Sequence, residues 1–366
     1  MNADINLGSY HIYYGDQTFQ KLSEFLQSDR YKNAKIFILT DEIISEKWLE
    51  FLLENVPELE NSEMIQIDSG EDSKAIEICM EVWKILLEEG ADKKSLLINF
   101  GGGVISDLGG FVASTFKRGI DFINIPTTLL SQVDASIGGK LGIDFLSFKN
   151  QIGLFKNPIH IFSYPGFLST LDQKQIVSGF AEMIKHGLIA DINLWEEIKK
   201  INSKDLKSIQ NLVLPSLKIK CDMVSADPFE KNIRKTLNFG HTIGHAIESY
   251  SLANDEIYLM HGEAVAIGMI CESYLSNKIA GLSDQELSQI VNFIKSNFNP
   301  YLIDKITADE LIAFMHQDKK NENAKINFTL LPQIGKAAID FHADEILIKE
   351  AIWFYSSEIG GKISQN

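Results

Sequence analysis

Asn238–Glu248 reads NFGHTIGHAIE, and its His241 and His245 stand four residues apart, the spacing that puts two imidazoles on one face of a helix. His261-Gly262-Glu263 opens the next apolar helical stretch, and upstream GFAEMIKHG (Gly179–Gly187) carries Glu182 and Lys185 on one side of another. Two imidazoles and a carboxylate drawn from separate helices suit Zn²⁺, with coordination positions left for a substrate or water. Only three protein ligands imply a catalytic ion rather than a structural one. Thr242 follows His241, so the Glu of an HExxH metalloprotease is missing and peptide hydrolysis is disfavoured. A single helical histidine is more often a packing residue than a ligand. Three of them beside glycines and upstream of Glu263 argue for a metal.

An acidic chain that binds a phosphorylated anion has to concentrate positive charge locally. Arg118, Lys140, Lys149, Lys185, Lys220, Arg234 and the neighbours Lys319 and Lys320 are the candidates, each of which also fits a solvated surface charge. Lys140 sits in SIGGKLG (Ser136–Gly142), where glycines make exposed backbone and an anion-binding nest plausible.

A second kind of chemistry is suggested by LLINFGGGVISDLGGF (Leu96–Phe111), a buried strand running through three glycines into a helix. Glycines there let the backbone approach a diphosphate, and the helix N-terminus offers unpaired N–H groups. The spacing GGGxxxD is not the GxGxxG fingerprint, and such a turn is often only structural. Asp107 fits either a ribose contact or a helix cap. Pro126-Thr127-Thr128 follows the strand FINI and places hydroxyls where an open parallel sheet binds ligands. Ser69–Lys74 (SGEDSK) reads by itself as a capping loop.

These groups need a scaffold. The apolar runs Lys35–Thr40, Glu63–Ile67, Leu96–Phe100 and Phe122–Ile125 alternate with amphipathic stretches such as Lys74–Glu89, the rhythm of βαβ units and a parallel sheet. Beyond about Pro165 the pattern turns helical, through Gln175–Ala190, Leu206–Val224, Gly240–Ser251 and His261–Lys278, with a predicted hairpin at Lys325–Asp340. The expected architecture is an α/β, Rossmann-like nucleotide-binding domain over 1–164 and a mainly α-helical metal- and substrate-binding domain over 165–366. The 366 residues are 45% apolar, and 34 Lys plus Arg against 50 Asp plus Glu give a formal charge of −16. That charge argues against general affinity for nucleic acid or an anionic membrane. Cys79, Cys221 and Cys271 show no disulfide or CxxC pattern. With an acidic N-terminus unlike a signal peptide and no run long enough to span a bilayer, a cytoplasmic protein is expected, as a homodimer.

In order along the chain, GExxK (Gly70–Lys74), GGGVISDLGGFVAS, RGIDFINIPTTLLSQVDASIGGK, FKNQIG, FLSTL, SGFAEMIKHGLI, LNFGHTIGHAIE, HGEAVAIGM and DKKN resemble the 3-dehydroquinate synthase family over about Gly70 to Gly335. The resemblance implies a dehydroquinate synthase-like fold and zinc, or Co²⁺, held by Glu182, His241 and His261. It implies NAD contacts from Asp41, from Ser69, Gly70, Glu71 and Lys74, from Gly103, Val104, Ile105, Ser106 and Asp107, from Thr127, Thr128, Lys140 and Lys149, and from Phe167, Leu168, Ser169 and Thr170. Substrate contacts are implied for Asp134, Asn150, Lys185, Lys220 and Arg118, and for Lys320 in preference to Lys319. Catalytic roles fall to His245, Lys140, Glu230, Arg234 and Asn238, with His245 as the proton relay because imidazole titrates near working pH.

The family's substrate is a small phosphorylated sugar acid, 3-deoxy-D-arabino-heptulosonate 7-phosphate. NAD⁺ oxidises its C5 carbinol, phosphate leaves by β-elimination, the hydride returns, and ring opening with aldol closure gives the carbocycle. This chain departs from the family's GGKTG(V/I)N in having Leu141 and Asp144, and Asp172 replaces a usual Pro. The alternatives are another sugar phosphate cyclase, recognisable by altered pocket residues, and a metal-dependent alcohol or glycerol-phosphate dehydrogenase that releases NADH. A protein without activity is disfavoured by the intact Glu182, His241 and His261.

Overall fold

A computed structural model describes residues 1–145, 148–316 and 326–359. Two compact units emerge, Met1–Asp172 and Gln173–Asn366. The 3₁₀ turn Pro165–Thr170 stays with the first, because Phe167 is a core ring stacked edge-on against Phe19, Trp48 and Phe100.

The first unit runs β1 (Ala3–Asn6), β2 (His11–Tyr14), α1 (Thr18–Leu26), β3 (Ile36–Asp41), α2 (Glu42–Asn55), β4 (Glu63–Ile67), α3 (Ile76–Glu88), β5 (Leu96–Gly101), α4 (Gly103–Thr115), β6 (Asp121–Pro126), β7 (Lys140–Phe145), β8 (Phe148–Phe155) and β9 (His160–Ser163). Its seven-stranded sheet has the order β1-β2-β9-β6-β5-β3-β4, parallel except for the β1–β2 pair. Central β5 is buried at every position, which is why LLINFG lacks polar alternation. Its one buried amide, Asn99, donates to Asn124 directly across on β6 at 2.9 Å. The chain goes from β3 to β4 on one side and then crosses to β5 on the other. That reversal puts a topological switch point between the C-terminal ends of β3 and β5, where open sheets bind ligands.

Three features depart from expectation. Strands β1, β2 and β9 are only four residues each, too short for periodicity to declare them. Lys140 opens an antiparallel hairpin, β7–β8, so Ser136–Gly142 is not simply a glycine loop. Leu141 there is buried against α4 at Gly110, which accounts for an apolar residue in place of a threonine.

The second unit contains α5 (Gln173–Ala190), α6 (Ile192–Ile198), α7 (Leu206–Ala226), α8 (His241–Asn254), α9 (His261–Leu275), α10 (Asp284–Asn297), α11 (Lys305–His316), the hairpin β10 (Asn327–Gln333) and β11 (Lys336–His342), and α12 (Glu345–Glu358). Ile334 and Gly335 turn the hairpin, Gly335 at φ +82°. Helices α5 and α9 are buried nearly all round, as helices surrounded by protein are. Against that background the buried charges Glu182, Lys185 and Glu272 stand out as groups that must have partners. Among the described residues no helix is long and apolar enough to cross a membrane.

Candidate active site

Glu182 projects from the middle of α5, His241 and His261 are the first residues of α8 and α9, and His245 follows His241 by one turn. Glu182 Oε1 lies 3.5 Å from His241 Nε2 and 3.4 Å from His261 Nε2. Donors about 2.0–2.1 Å from a tetrahedral Zn²⁺ stand roughly 3.4 Å from one another, so this separation fits the ion. The ligand atoms of His241, His245 and His261 also lie within 4.8 Å of one another, which gives the cluster four potential donors. The other carboxylate oxygen of fully buried Glu182 pairs with Lys185. Lys185 therefore holds one oxygen while the other faces the imidazoles.

Each imidazole that faces Glu182 is oriented from behind. His241 Nδ1 donates to the Phe239 carbonyl at 3.1 Å, and His261 Nδ1 lies 3.1 Å from Glu248 Oε2. A carbonyl only accepts, so His241 Nδ1 carries the proton and Nε2 presents its lone pair. Burial disfavours a charged His261, but Glu248 and Glu182 outweigh it and hold its pKa up to about 10. The field that favours imidazolium there favours a divalent cation equally. Glu248 escaped the sequence reading, although His241, His245 and Glu248 follow one another at helical spacing and its position was legible. Glu263 is a cap, its Oε2 accepting the Met260 amide at 2.9 Å, and so stands apart from the ligand set.

Among the described residues of this unit, Lys185 and Arg234 are buried at 1% exposure and Lys220 at 6%, far from the solvated-charge alternative. Asp227 builds the loop that carries Arg234 by accepting the amides of Lys231 (3.0 Å), Asn232 (2.6 Å) and Arg234 (3.2 Å). Burial pushes the Asp227 carboxyl up, but these three donors and the Arg234 charge hold it below the ordinary range. Arg234 Nη1 donates to Pro228 O at 2.6 Å, and Asn238 Nδ2 to Glu230 Oε1 at 2.8 Å, with Glu230 at φ +55°. Lys319 and Lys320 lie outside the described residues.

In the first unit, Asp41 ends β3 and the glycines Gly101–Gly103 end β5, on either side of the switch point. Asp41 caps α2 through the Ile44 amide at 2.9 Å. Asp107 lies within the first turns of α4 and is not its cap; it forms an ion pair with Lys74 at 2.7 Å. Nor is Ser69–Lys74 a capping loop, since α3 starts after Ala75 with no side-chain cap. Instead Lys74 Nζ bonds Asp107 and Asn150 Oδ1 (2.6 Å), while Lys149 pairs with Glu71 at 2.5 Å. Burial opposes the Lys74 charge, yet Asp107, Glu71 and Asp144 raise its pKa above that of an ordinary lysine. Asp144, the departure from the family pattern, accepts the Asn150 amide at 2.7 Å and so belongs to this network.

Val104, Ile105 and Ser106 form the first turn of α4, with Ile105 folded over Gly101. Thr127 is buried, its amide donating to Gly101 O at 3.0 Å, and Thr128 Oγ1 lies 3.0 Å from Ser131 Oγ in the turn that leads to Asp134. Phe167 and Leu168 have buried side chains. Ser169 and Thr170 follow, Thr170 Oγ1 accepting from Trp48 Nε1 at 2.7 Å. Arg118 precedes β6, at the end of that strand away from Thr127, a six-residue run of roughly 20 Å. Lys140 is exposed at the start of β7.

Family models described as 3-dehydroquinate synthase N-terminal and C-terminal match residues 64–178 and 179–321. A 3-dehydroquinate synthase of Parabacteroides distasonis is 42% identical over 342 residues, covering 93% of this chain and 96% of that protein. Two solved structures share the fold at 23% identity. One is a 2-deoxy-scyllo-inosose synthase complexed with carbaglucose-6-phosphate, NAD⁺ and Co²⁺, with TM-score 0.82 over 96% of this chain and 99% of that one. The other is a 2-epi-5-epi-valiolone synthase from Streptomyces hygroscopicus with NAD⁺ and Zn²⁺ bound, with TM-score 0.81 over 97% and 99%.

Proposed function

The chain belongs to the 3-dehydroquinate synthase family, and from this we propose that it converts 3-deoxy-D-arabino-heptulosonate 7-phosphate into 3-dehydroquinate and inorganic phosphate. The observation that carries the proposal is the convergence of Glu182, His241 and His261 at spacings that suit one divalent ion. When bound, NAD supplies a hydride acceptor that is regenerated within the turnover, and zinc supplies Lewis acidity toward the substrate's hydroxyls.

The residues around these groups have separate tasks. Glu182, His241 and His261 hold the ion, and Co²⁺ satisfies the same donors. Lys74, Lys149, Asp41, Gly103–Asp107, Thr127 and Thr128 hold NAD. Buried Lys185, Lys220 and Arg234 bind the anionic groups of the substrate, where low dielectric strengthens each contact. Asp134, Asn150, Lys140, Glu230, Asn238 and Lys320 complete the substrate contacts in this proposal. His245, whose ring centre lies 5.0 Å from that of His241, moves the proton to and from the reacting hydroxyls. Free, buried Cys79, Cys221 and Cys271 favour a reducing, cytoplasmic setting. The exposed apolar Phe145, Ile152 and Phe155 of one hairpin favour a homodimer.

Recycling of NAD separates this function from that of a dehydrogenase. With the heptulosonate phosphate and NAD⁺ at about a tenth of its concentration, phosphate release runs to completion and absorbance at about 340 nm does not rise. Release that stops when NAD⁺ is exhausted, with NADH accumulating in step, would instead show a dehydrogenase.

A further inference from the structure

Glu272 is a carboxylate with no exposure in the largely buried helix α9, and its two oxygens have definite work. Oε2 accepts the Gly240 amide at 2.6 Å and Oε1 accepts the Ile243 amide at 3.1 Å. Both amides belong to the start of α8, where the first N–H groups of a helix have no acceptor within the helix. A Ser, Thr, Asp or Asn at the N-cap usually supplies one. Here the N-cap is Gly240, at φ +80°. A Cβ at Gly240 would stand 2.6 Å from Met269 Cγ and 3.1 Å from Val265 O, so the close approach of α9 excludes a capping side chain. Gly268 permits that approach, since a Cβ there would lie 2.0 Å from Gly240 O. The cap is therefore supplied from the neighbouring helix.

His261, Val265, Gly268 and Glu272 follow one another at helical spacing, so one face of α9 carries a metal-facing imidazole and, three turns later, the anchor of α8. His241 lies between the two amides that Glu272 holds, and His245 is one turn beyond. The negative charge also sits at the positive end of the α8 dipole. We infer that Glu272 is a positioning residue that fixes His241 and His245 against His261 by capping α8 from α9, an inference that rests on His241 being a metal ligand.

The test compares wild-type enzyme, Glu272→Gln and Ile270→Val, each as full-length zinc-loaded protein. The glutamine side chain of the first variant offers one acceptor oxygen where two amides need one each. Ile270 is buried on α9 and lines a cavity with Ile294, Phe298 and Tyr355, so its truncation destabilises the same helix without touching the cap. Competition with a chromophoric chelator should show zinc affinity about 10-fold or more weaker in E272Q. At saturating zinc, kcat should fall about 10- to 100-fold while KM for NAD⁺ stays unchanged. I270V should lower Tm with zinc affinity within about twofold of wild type.

Zinc affinity in E272Q within about twofold of wild type, or an equal loss in I270V, overturns the inference. If E272Q does not fold, Glu272→Asp decides in its place: affinity about three- to tenfold weaker supports the cap, and wild-type affinity overturns it. A wild-type protein that takes up no zinc removes the ligand assignment, and the inference with it.

Discussion

In a His241→Ala variant, zinc falls from about one ion per chain to under about a tenth, and phosphate release drops at least about 10³-fold. Far-UV circular dichroism stays that of the wild type, because His241 is the first residue of α8 and its ring packs against the imidazoles of His245 and His261. Two of the three proposed ligands are left, Glu182 and His261, and Glu182 is already engaged through its other oxygen by Lys185. A His245→Gln variant provides the contrast. It retains its zinc and loses about 10²- to 10⁴-fold in kcat, the range for a displaced general acid or base. The comparison matters because His245 lies within ligand range of His241 and His261. Loss of zinc on changing His245 would move it from proton transfer into the ligand set.

A Lys74→Met variant binds NAD⁺ about 10- to 100-fold more weakly, the value of a charge-assisted hydrogen bond to a buried partner. It also destabilises the first unit by about 3–5 kcal/mol, because Asp107 is left without the cation that compensates it, while Glu71 keeps Lys149. For a unit of this size that is a fall of about 10 °C in Tm. The double variant Lys74→Met, Asp107→Asn separates the two effects. Removing the stranded carboxylate recovers much of the stability and none of the NAD affinity. Scanning calorimetry reads the first quantity and titration calorimetry the second. Wild-type NAD⁺ affinity in Lys74→Met would take Lys74 out of the nucleotide site.

Why some of this was legible in the residues and some was not follows from range. Glu182, His241 and His261 each belong to long helical stretches, and the spacing of His241, His245 and Glu248 already places them on one face. The parallel strands β3, β5 and β6 declare themselves because both of their faces are buried. Four-residue strands such as β2 and β9 give no period to count, and the β7–β8 hairpin hides behind glycines that also suit a loop. Arg118 is a phosphate-binding candidate by its charge alone, and that it stands at the end of β6 away from Thr127 is visible only in the fold. Charge is local information; which end of a strand it occupies is topology.

Glu272 shows the same limit from the other side. Nothing local distinguishes a glutamate in HGEAVAIGMICESYL from a solvated one, since its function depends on where α8 crosses α9 and on Gly240 having no side chain to cap its own helix. Asp227 lies between these cases. An aspartate before a proline suggests a turn, but only the folded loop shows three amides converging on it and Arg234 among them.

Zinc titration of chelator-treated enzyme bears most directly on the claim that a carboxylate and two imidazoles of the second unit hold the ion the reaction needs. Phosphate release from the heptulosonate phosphate, absent in the stripped protein, should rise linearly and level off at about one Zn²⁺ per chain. Full release from stripped protein carrying under about a tenth of an equivalent of metal would contradict it.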